Sequence, residues 1–359
     1  MITAAIDKLV MGESLNDAEA GESMEEIMSG TATPAQISAF LVALRMKGET
    51  IEEIAGLAHV MRSRAVPVEL GDACVVDTCG TGGDRSGTFN ISTAAAIVTA
   101  AAGVPVAKHG NRAMSSRCGS ADVLEALGVD INLDAEGVAR CVRYAGIGFM
   151  FAPLFHPAMK HAAPVRRELG TRTVFNILGP LTNPARARRQ VLGVAHASLA
   201  PKMAGALERL GAQHALVVHG HGGLDELTVT GPSIIYRVRA DRPIETMEVR
   251  PEEFGFGSAP LEDIAGGTAE ENAEMIRGVL AGEPGPRRDV VLLNAAAALL
   301  VADAVGSLRE GVDLAARAID TGDALATLAR LIEVSNNASP AVAPTPGSKI
   351  PKTGPGKAA

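Results

Sequence analysis

Cysteine is scarce in this chain and tryptophan is missing altogether. The four cysteines, Cys74, Cys79, Cys118 and Cys141, stand at irregular spacings and form no CxxC pair. That excludes a disulfide scaffold or a zinc ribbon and suits a reducing cytosol, with the thiols acting as small buried apolar groups. Excess basic charge is missing too. The 33 Lys and Arg against 41 Asp and Glu leave a formal charge of -8, which argues against nucleic acid or an anionic membrane surface as a main partner. No apolar run long enough to span a membrane is free of glycine or charge, and the opening MITAAIDKLVMGESL holds Asp7 and Lys8 inside its short apolar stretch. It therefore lacks the basic start and apolar centre of a signal peptide, and a cytoplasmic protein is expected. What remains is 359 residues, 47% hydrophobic and 21% charged, enough for one large or two unequal globular domains with a sizeable core.

Helix signals recur at the start. Asn16 with Glu19, Thr33 with Gln36 and Thr50 with Glu53 have the capping-box spacing, and Pro34 stands at a first helical position. Ile37, Phe40, Leu41 and Leu44 follow at i, i+3, i+4 and i+7 before Gly48, so residues 1 to about 64 read as four short helices. They are too few for a strong core of their own and are expected to pack on something else. After Val66-Pro67 the pattern changes. Apolar β-type runs at 73–77, 104–107, 147–151, 190–194 and 215–218 alternate with helices around 91–102, 121–127, 135–144 and 201–210, which implies a largely parallel sheet covered on both faces. A helical stretch at 157–169 and a loop at 176–184 interrupt the alternation and are expected to return the chain to the helical part. Residues 228–249 read as antiparallel excursions, 268–334 as helices, and the Pro-, Gly-, Lys- and Ala-rich residues 338–359 as a disordered tail.

Four segments carry chemistry. Asp77-Thr78-Cys79-Gly80-Thr81-Gly82-Gly83-Asp84 lies between a strand and a helix opened by Asn90-Ile91-Ser92-Thr93. Its glycines let backbone N–H groups approach an anion, and the helix start offers further amides and hydroxyls. It has neither the GxGxxG spacing of a dinucleotide site nor the GK[ST] of a P-loop. Lys108-His109-Gly110-Asn111-Arg112 follows the next strand and brings cations, an imidazole and an amide to the same sheet end, with Ala113 to Ser120 continuing in small and hydroxylated residues. Asp225-Glu226, after His219-Gly220-His221-Gly222-Gly223-Leu224, offers adjacent carboxylates of the kind that hold Mg²⁺ against substrate phosphates. Taken alone, an acidic surface pair is the plainer reading, and no further residue pattern completes a zinc site with the HxH. Arg166 and Arg167 lie on the helical stretch after His156-Pro157. An Arg fork recognises a carboxylate, whereas an exposed Arg is usually only solubilising, and the sequence does not choose between them.

Together, GTGGD at 80–84, NIST at 90–93, KHGNR at 108–112, GSADVLEALGV at 119–129, HPAMKHAAPVRRELGTRTVFNILGPLTNPA at 156–185 and LDE at 224–226 resemble the anthranilate phosphoribosyltransferases of tryptophan biosynthesis. The likeness runs to about residue 335. It implies an α/β fold of the nucleoside phosphorylase/phosphoribosyltransferase type: a small all-helical domain, 1–68, completed by about 157–186, hinged to a larger α/β domain, 69–156 and 187–335, whose mostly parallel central sheet is flanked by helices. It implies transfer of the phosphoribosyl group of phosphoribosyl pyrophosphate (PRPP) to the amine of anthranilate. By resemblance, Gly80, Gly83, Asp84, Thr88, Asn90, Ile91, Ser92, Thr93, Lys108, Ser116 and Ser120 contact PRPP, while Ser92, Asp225 and Glu226 hold Mg²⁺. Gly80, Asn111 and Arg166 take anthranilate, and His109 and Gly179-Pro180 wall its entry channel. Lys108, His109, Asp225 and Glu226 are the catalytic expectation, with His109 a guess for the proton acceptor. A homodimer contacting through the helical domains is also implied, and noncovalent association with other tryptophan-pathway enzymes stays open. Arg85 stands where Gly is frequent in the family, and Arg117-Cys118 replaces the usual Lys-Ser.

Pyrophosphate leaves the anomeric carbon as the weakly basic amine attacks from the opposite face, so positioning and charge neutralisation are expected to do the work, with no covalent nucleophile. A nucleoside phosphorylase on the same architecture is the nearest rival, and a non-enzymatic nucleic-acid-binding relative a more distant one, opposed by the charge and the intact phosphate motifs.

Overall fold

A computed structural model describes residues 1–71, 73–113 and 117–338. Ser116 and the expected tail from residue 339 onward lie outside the described residues. The chain opens with four helices, α1 (Ile2–Val10), α2 (Asp17–Ser29), α3 (Pro34–Lys47) and α4 (Ile51–Ser63). All three capping boxes form reciprocally, at Asn16/Glu19, Thr33/Gln36 and Thr50/Glu53, each satisfying amides that the first helical turn leaves without partners.

One of these boxes does more than cap. The Glu53 carboxylate is fully buried, and it accepts from the amides of Leu15 at 2.9 Å and Thr50 at 2.8 Å and from the Lys47 ammonium at 2.9 Å. It thereby ties α3, α4 and the turn before α2 to one point. Around it, Met24, Ile27, Phe40, Leu41, Leu44, Ile54 and Leu57 make an apolar core that does not end at the bundle. Val165, Phe175, Leu178 and Leu181, from the segment that interrupts the strand–helix alternation, belong to the same core. So do Met203 and Leu207 of the helix Ala200–Arg209 and the sheet residues Leu192, Ala215 and Val217.

The sheet has seven strands: β1 (Val76–Gly80), β2 (Val106–Gly110), β3 (Ile147–Phe151), β4 (Arg189–Gly193), β5 (His214–Gly220), β6 (Ser233–Arg239) and β7 (Glu245–Val249). Their order is β3-β2-β1-β4-β5-β6-β7, parallel from β3 through β5, with β6 and β7 antiparallel. The other face of the sheet packs beneath the helices Ile91–Ala101 and Pro286–Val301, where Ala94, Val98, Val291 and Leu299 are buried. The sequence placed the first two strands too early. Parallel pairing carries β1 as far as Gly80, opposite Gly193, and β2 as far as Gly110, opposite Phe151. Lys108 and His109 are therefore strand residues whose side chains leave opposite faces, rather than members of a polar turn.

Replacing Glu53 with Ala leaves the nearly buried Lys47 ammonium unpaired and is expected to cost about 3 to 5 kcal/mol of unfolding free energy. Denaturant titration reads this directly, and a loss below about 1 kcal/mol would rule out a central role for the carboxylate.

Candidate active site

The chain leaves β1 toward β2 on one side of the sheet, while β4 lies on the other. The boundary between β1 and β4 is therefore the switch point, where open α/β sheets form a crevice beyond the carboxyl ends of the strands. Gly80 and Gly193 end these two strands as register partners. A Cβ at Gly193 would run into the backbone oxygen of Asp225, and one at Gly80 into its carboxylate. The absence of both side chains admits the 221–226 segment to the crevice. A turn closed by the Gly220 amide on the Leu224 carbonyl, 2.8 Å, brings it there, with Gly222 and Gly223 at φ of 75° and 87°.

Two carboxylates arrive by this route. Asp225 accepts the Gly82 amide at 2.7 Å, and Glu226 accepts the Ser92 amide at 3.2 Å at the start of the helix Ile91–Ala101. Burial pushes both carboxyls above their ordinary range, reinforced at Asp225 by the charge of Asp84 and at Glu226 by Asp225, while Lys108 opposes the rise at Glu226. Lys108 is 2% exposed. Its ammonium donates to the Thr78 carbonyl and to the hydroxyls of Thr78 and Ser92, the latter at 3.2 Å. Burial pulls its pKa down, and the charges of Asp77 and Glu226 hold it up. Among the described residues no group of three or more His, Cys, Asp or Glu forms a cage for an ion. The His219 ring engages the Val194 carbonyl at 2.8 Å, and His221 packs over Gly231, so neither is turned to a zinc site.

The glycine loop has donors to spare. Thr81 and Gly82 use their amides on Gly193 and Asp225, but those of Gly83, Asp84 and Arg85 carry no hydrogen bond to a described residue. Asp84 accepts from the Ser86 hydroxyl at 2.6 Å, and that hydroxyl lies 3.4 Å from the Thr88 hydroxyl. Arg85 has φ 59°, the left-handed region, so the departure from glycine holds a side chain where glycine costs less. At the helix start, the Asn90 side chain does not cap. It joins the Cys118 carbonyl to Asn272, while the Ile91 amide turns to the Phe89 carbonyl. Thr93, 1% exposed, has a hydroxyl with no partner among the described residues, at a helix start where an anion would be favoured.

The opposite face of the same strands differs. His109 leaves β2 there, with its Nε2 3.2 Å from Nε2 of His156. Burial pushes His109 down to about 3, helped by its histidine neighbour, and burial alone takes His156 down to about 4. Arg166, half-buried on the helix Ala163–Leu169, lies with its guanidinium 5.1 Å from the Phe175 ring centroid. It has no carboxylate partner among the described residues, and burial lowers its pKa. Arg112, by contrast, is spent on Asp122 and Glu125. Asp122 also accepts the amides of Ala113 at 3.0 Å and Gly119 at 2.8 Å, and the Asn111 carbonyl takes the Ser120 hydroxyl at 3.3 Å.

Several contributors escaped sequence reasoning. Thr78 holds Lys108, Asp122 sets the loop after β2, His156 pairs with His109, and Arg172 donates to the carbonyls of Gly82 at 2.9 Å and Thr81 at 3.4 Å. Only Asp122 left a local signal, its spacing from Gly119 at a helix start.

The raised carboxyls make a stability prediction for the metal-free protein. Carboxyls raised in the folded state contribute stability below their unfolded values, 3.8 for Asp and 4.5 for Glu, and that contribution is lost as pH rises through the folded values. In EDTA, the Tm of the wild type should fall between pH 5 and 8 more steeply than that of an Asp225→Asn, Glu226→Gln variant, which should be the more stable at pH 8. Parallel curves would remove the raised carboxyls from the account.

Comparison with known proteins identifies the family. Residues 3–65 match the glycosyl transferase family helical bundle domain, and residues 72–325 its α/β domain. A protein of Chloroflexus aggregans named anthranilate phosphoribosyltransferase is 63% identical over 335 residues, 93% of this chain and 98% of the relative. The crystal structure of anthranilate phosphoribosyltransferase from Thermus thermophilus superposes with a TM-score of 0.87 at 48% identity, covering 92% of this chain and 99% of that one. The Saccharomyces cerevisiae enzyme, solved in complex with PRPP and Mg, gives 0.86 at 29% identity over 94% of this chain and 98% of that one. With both domains matched and nearly the whole chain covered, the chain belongs to the anthranilate phosphoribosyltransferase family.

Proposed function

We infer that this crevice transfers the phosphoribosyl group of PRPP to the amine of anthranilate, giving N-(5-phosphoribosyl)anthranilate and pyrophosphate, in tryptophan biosynthesis. The observation that carries this reading is the entry of Asp225 between Gly80 and Gly193, with Glu226 at the Ser92 amide, beside glycine-loop amides that have no partner among the described residues. The donor set suits Mg²⁺: two crowded carboxylates and a hydroxyl are hard oxygen ligands, and a shortage of protein ligands fits an ion that shares its coordination with water and substrate phosphates. Asp225, Glu226 and Ser92 would hold it, and when bound it neutralises charge on the departing pyrophosphate.

The chain's own residues supply position and charge. The amides of Gly83, Asp84 and Arg85 and the Thr93 hydroxyl offer donors to phosphate oxygens, and Lys108 places a positive charge beneath them. Arg166, uncommitted and stacked on Phe175, suits the carboxylate of anthranilate, and Asn111 stands at the carboxyl end of β2 as a further polar contact. With burial lowering His109 to about 3 and His156 to about 4, both rings are weak proton acceptors, and we read the pair as an uncharged polar wall rather than a base. A nucleoside phosphorylase would have no use for an unpaired arginine facing a carboxylate-bearing acceptor.

A homodimer through the helical domains accords with the surface of α1 and α3, where Met11 is 77% and Met46 83% exposed beside Val10 and Val42. A Met11→Glu, Met46→Glu variant should sediment as a monomer with its helical content intact, and a wild type already monomeric at micromolar concentration would dismiss the dimer.

The reaction is tested by loss of anthranilate fluorescence on mixing the protein with PRPP and Mg²⁺. Turnover should disappear with EDTA and fall at least about a hundredfold in the Asp225→Asn, Glu226→Gln variant. His109→Ala should leave the pH profile of the remaining activity unchanged in shape. Wild-type protein that binds PRPP yet leaves anthranilate untouched would transfer the assignment to another acceptor.

A further inference from the structure

The glycine loop is held from behind. Arg172 lies in the segment that packs with the helical bundle, 90 positions from the loop it reaches. Its Nη1 donates to the Gly82 carbonyl at 2.9 Å and its Nη2 reaches the Thr81 carbonyl at 3.4 Å. Gly83 must be a glycine for this to happen, because a Cβ there would occupy the place of the guanidinium. A trans peptide points its C=O and the following N–H in opposite directions. An arginine that draws the Thr81 and Gly82 carbonyls to one side therefore turns the Gly82 and Gly83 amides to the other. The Gly82 amide meets Asp225 there at 2.7 Å. The Gly83 amide, free of any described partner, points into the same crevice by the same argument.

The other end of this residue is fastened to the bundle. Arg45 of α3 donates through Nη1 to the Arg172 carbonyl and to the Thr171 hydroxyl, the latter 2.5 Å away. A continuous polar connection thus runs from α3 through Thr171 and Arg172 to the two peptides whose amides face the carboxylates. The hydrogen bonds from the Arg172 side chain to the loop go to its backbone carbonyls.

We propose that Arg172 is a positioning residue for the diphosphate end of PRPP: its fork on the Thr81 and Gly82 carbonyls aims the loop amides, and Arg45 makes that aim depend on where the helical bundle stands. This rests on the reading of the crevice as a PRPP site. The acceptor side, built around Arg166 and the histidine pair, is not part of the connection.

Steady-state kinetics with each substrate varied separately tests it. Arg172→Ala should raise the KM for PRPP about tenfold or more, while the KM for anthranilate changes less than about twofold. Arg172→Lys, a point charge without the fork, should recover part of the loss and not all of it. Arg45→Ala should shift the PRPP KM in the same direction by less, and adding it to Arg172→Ala should have little further effect. An unchanged PRPP KM in Arg172→Ala, an equal rise for both substrates, or a lysine variant as good as wild type would overturn the proposal. If the wild type does not turn over anthranilate, calorimetric titration of PRPP into wild type and Arg172→Ala still decides the matter, since equal affinities refute the clamp whatever the acceptor.

Discussion

Room between two strand ends is the constraint on which this structure depends. β1 and β4 are neighbouring parallel strands whose last residues face each other as glycines, and the space where two side chains would stand admits the Asp225 backbone and carboxylate. A parallel sheet has no such gap by default, because its strands are lined on both faces by branched side chains that fill the space to the covering helices. Once the 221–226 turn is seated, the other groups fall into place around it. Gly82 and Ser92 spend amides on the two carboxylates, and Lys108, drawn inward by the Thr78 carbonyl, balances part of their charge.

The two faces of the same strand ends carry opposite electrostatic character because side chains alternate along a strand. On one face the Thr78 and Ser92 hydroxyls gather around the Lys108 ammonium. On the other, Asp77 is kept company by Gln190 and by the His109 amide, and the histidine pair stays neutral. Burial and mutual repulsion make the two carboxyls a cost to the folded chain.

The helical bundle is not an independent appendage. Its core continues through Val165, Phe175 and Leu181 into the underside of the sheet at Leu192 and Val217, and the Ala200–Arg209 helix belongs to both. The segment that joins the two carries Arg166, stacked on Phe175, and Arg172, gripping the glycine loop.

Much of this was readable from local pattern. The three capping boxes and the alternation of apolar runs with helices depend on neighbours within a few residues, and for these the sequence determined helix starts and the class of fold, with resemblance adding the reaction. What it misjudged were the strand ends at Lys108-His109 and Thr78-Cys79-Gly80, because parallel pairing with β3 and β4 extends strands through polar residues that periodicity assigns to turns. Only the tertiary structure decided that Asn90 serves Cys118 and Asn272 instead of capping its helix, that His109 faces another histidine, and that Arg172 reaches back across 90 positions to the glycine loop. Those choices turn on which distant group stands within 3 Å or so of a side chain, a distance that hydrogen bonds require and that no spacing along the chain specifies.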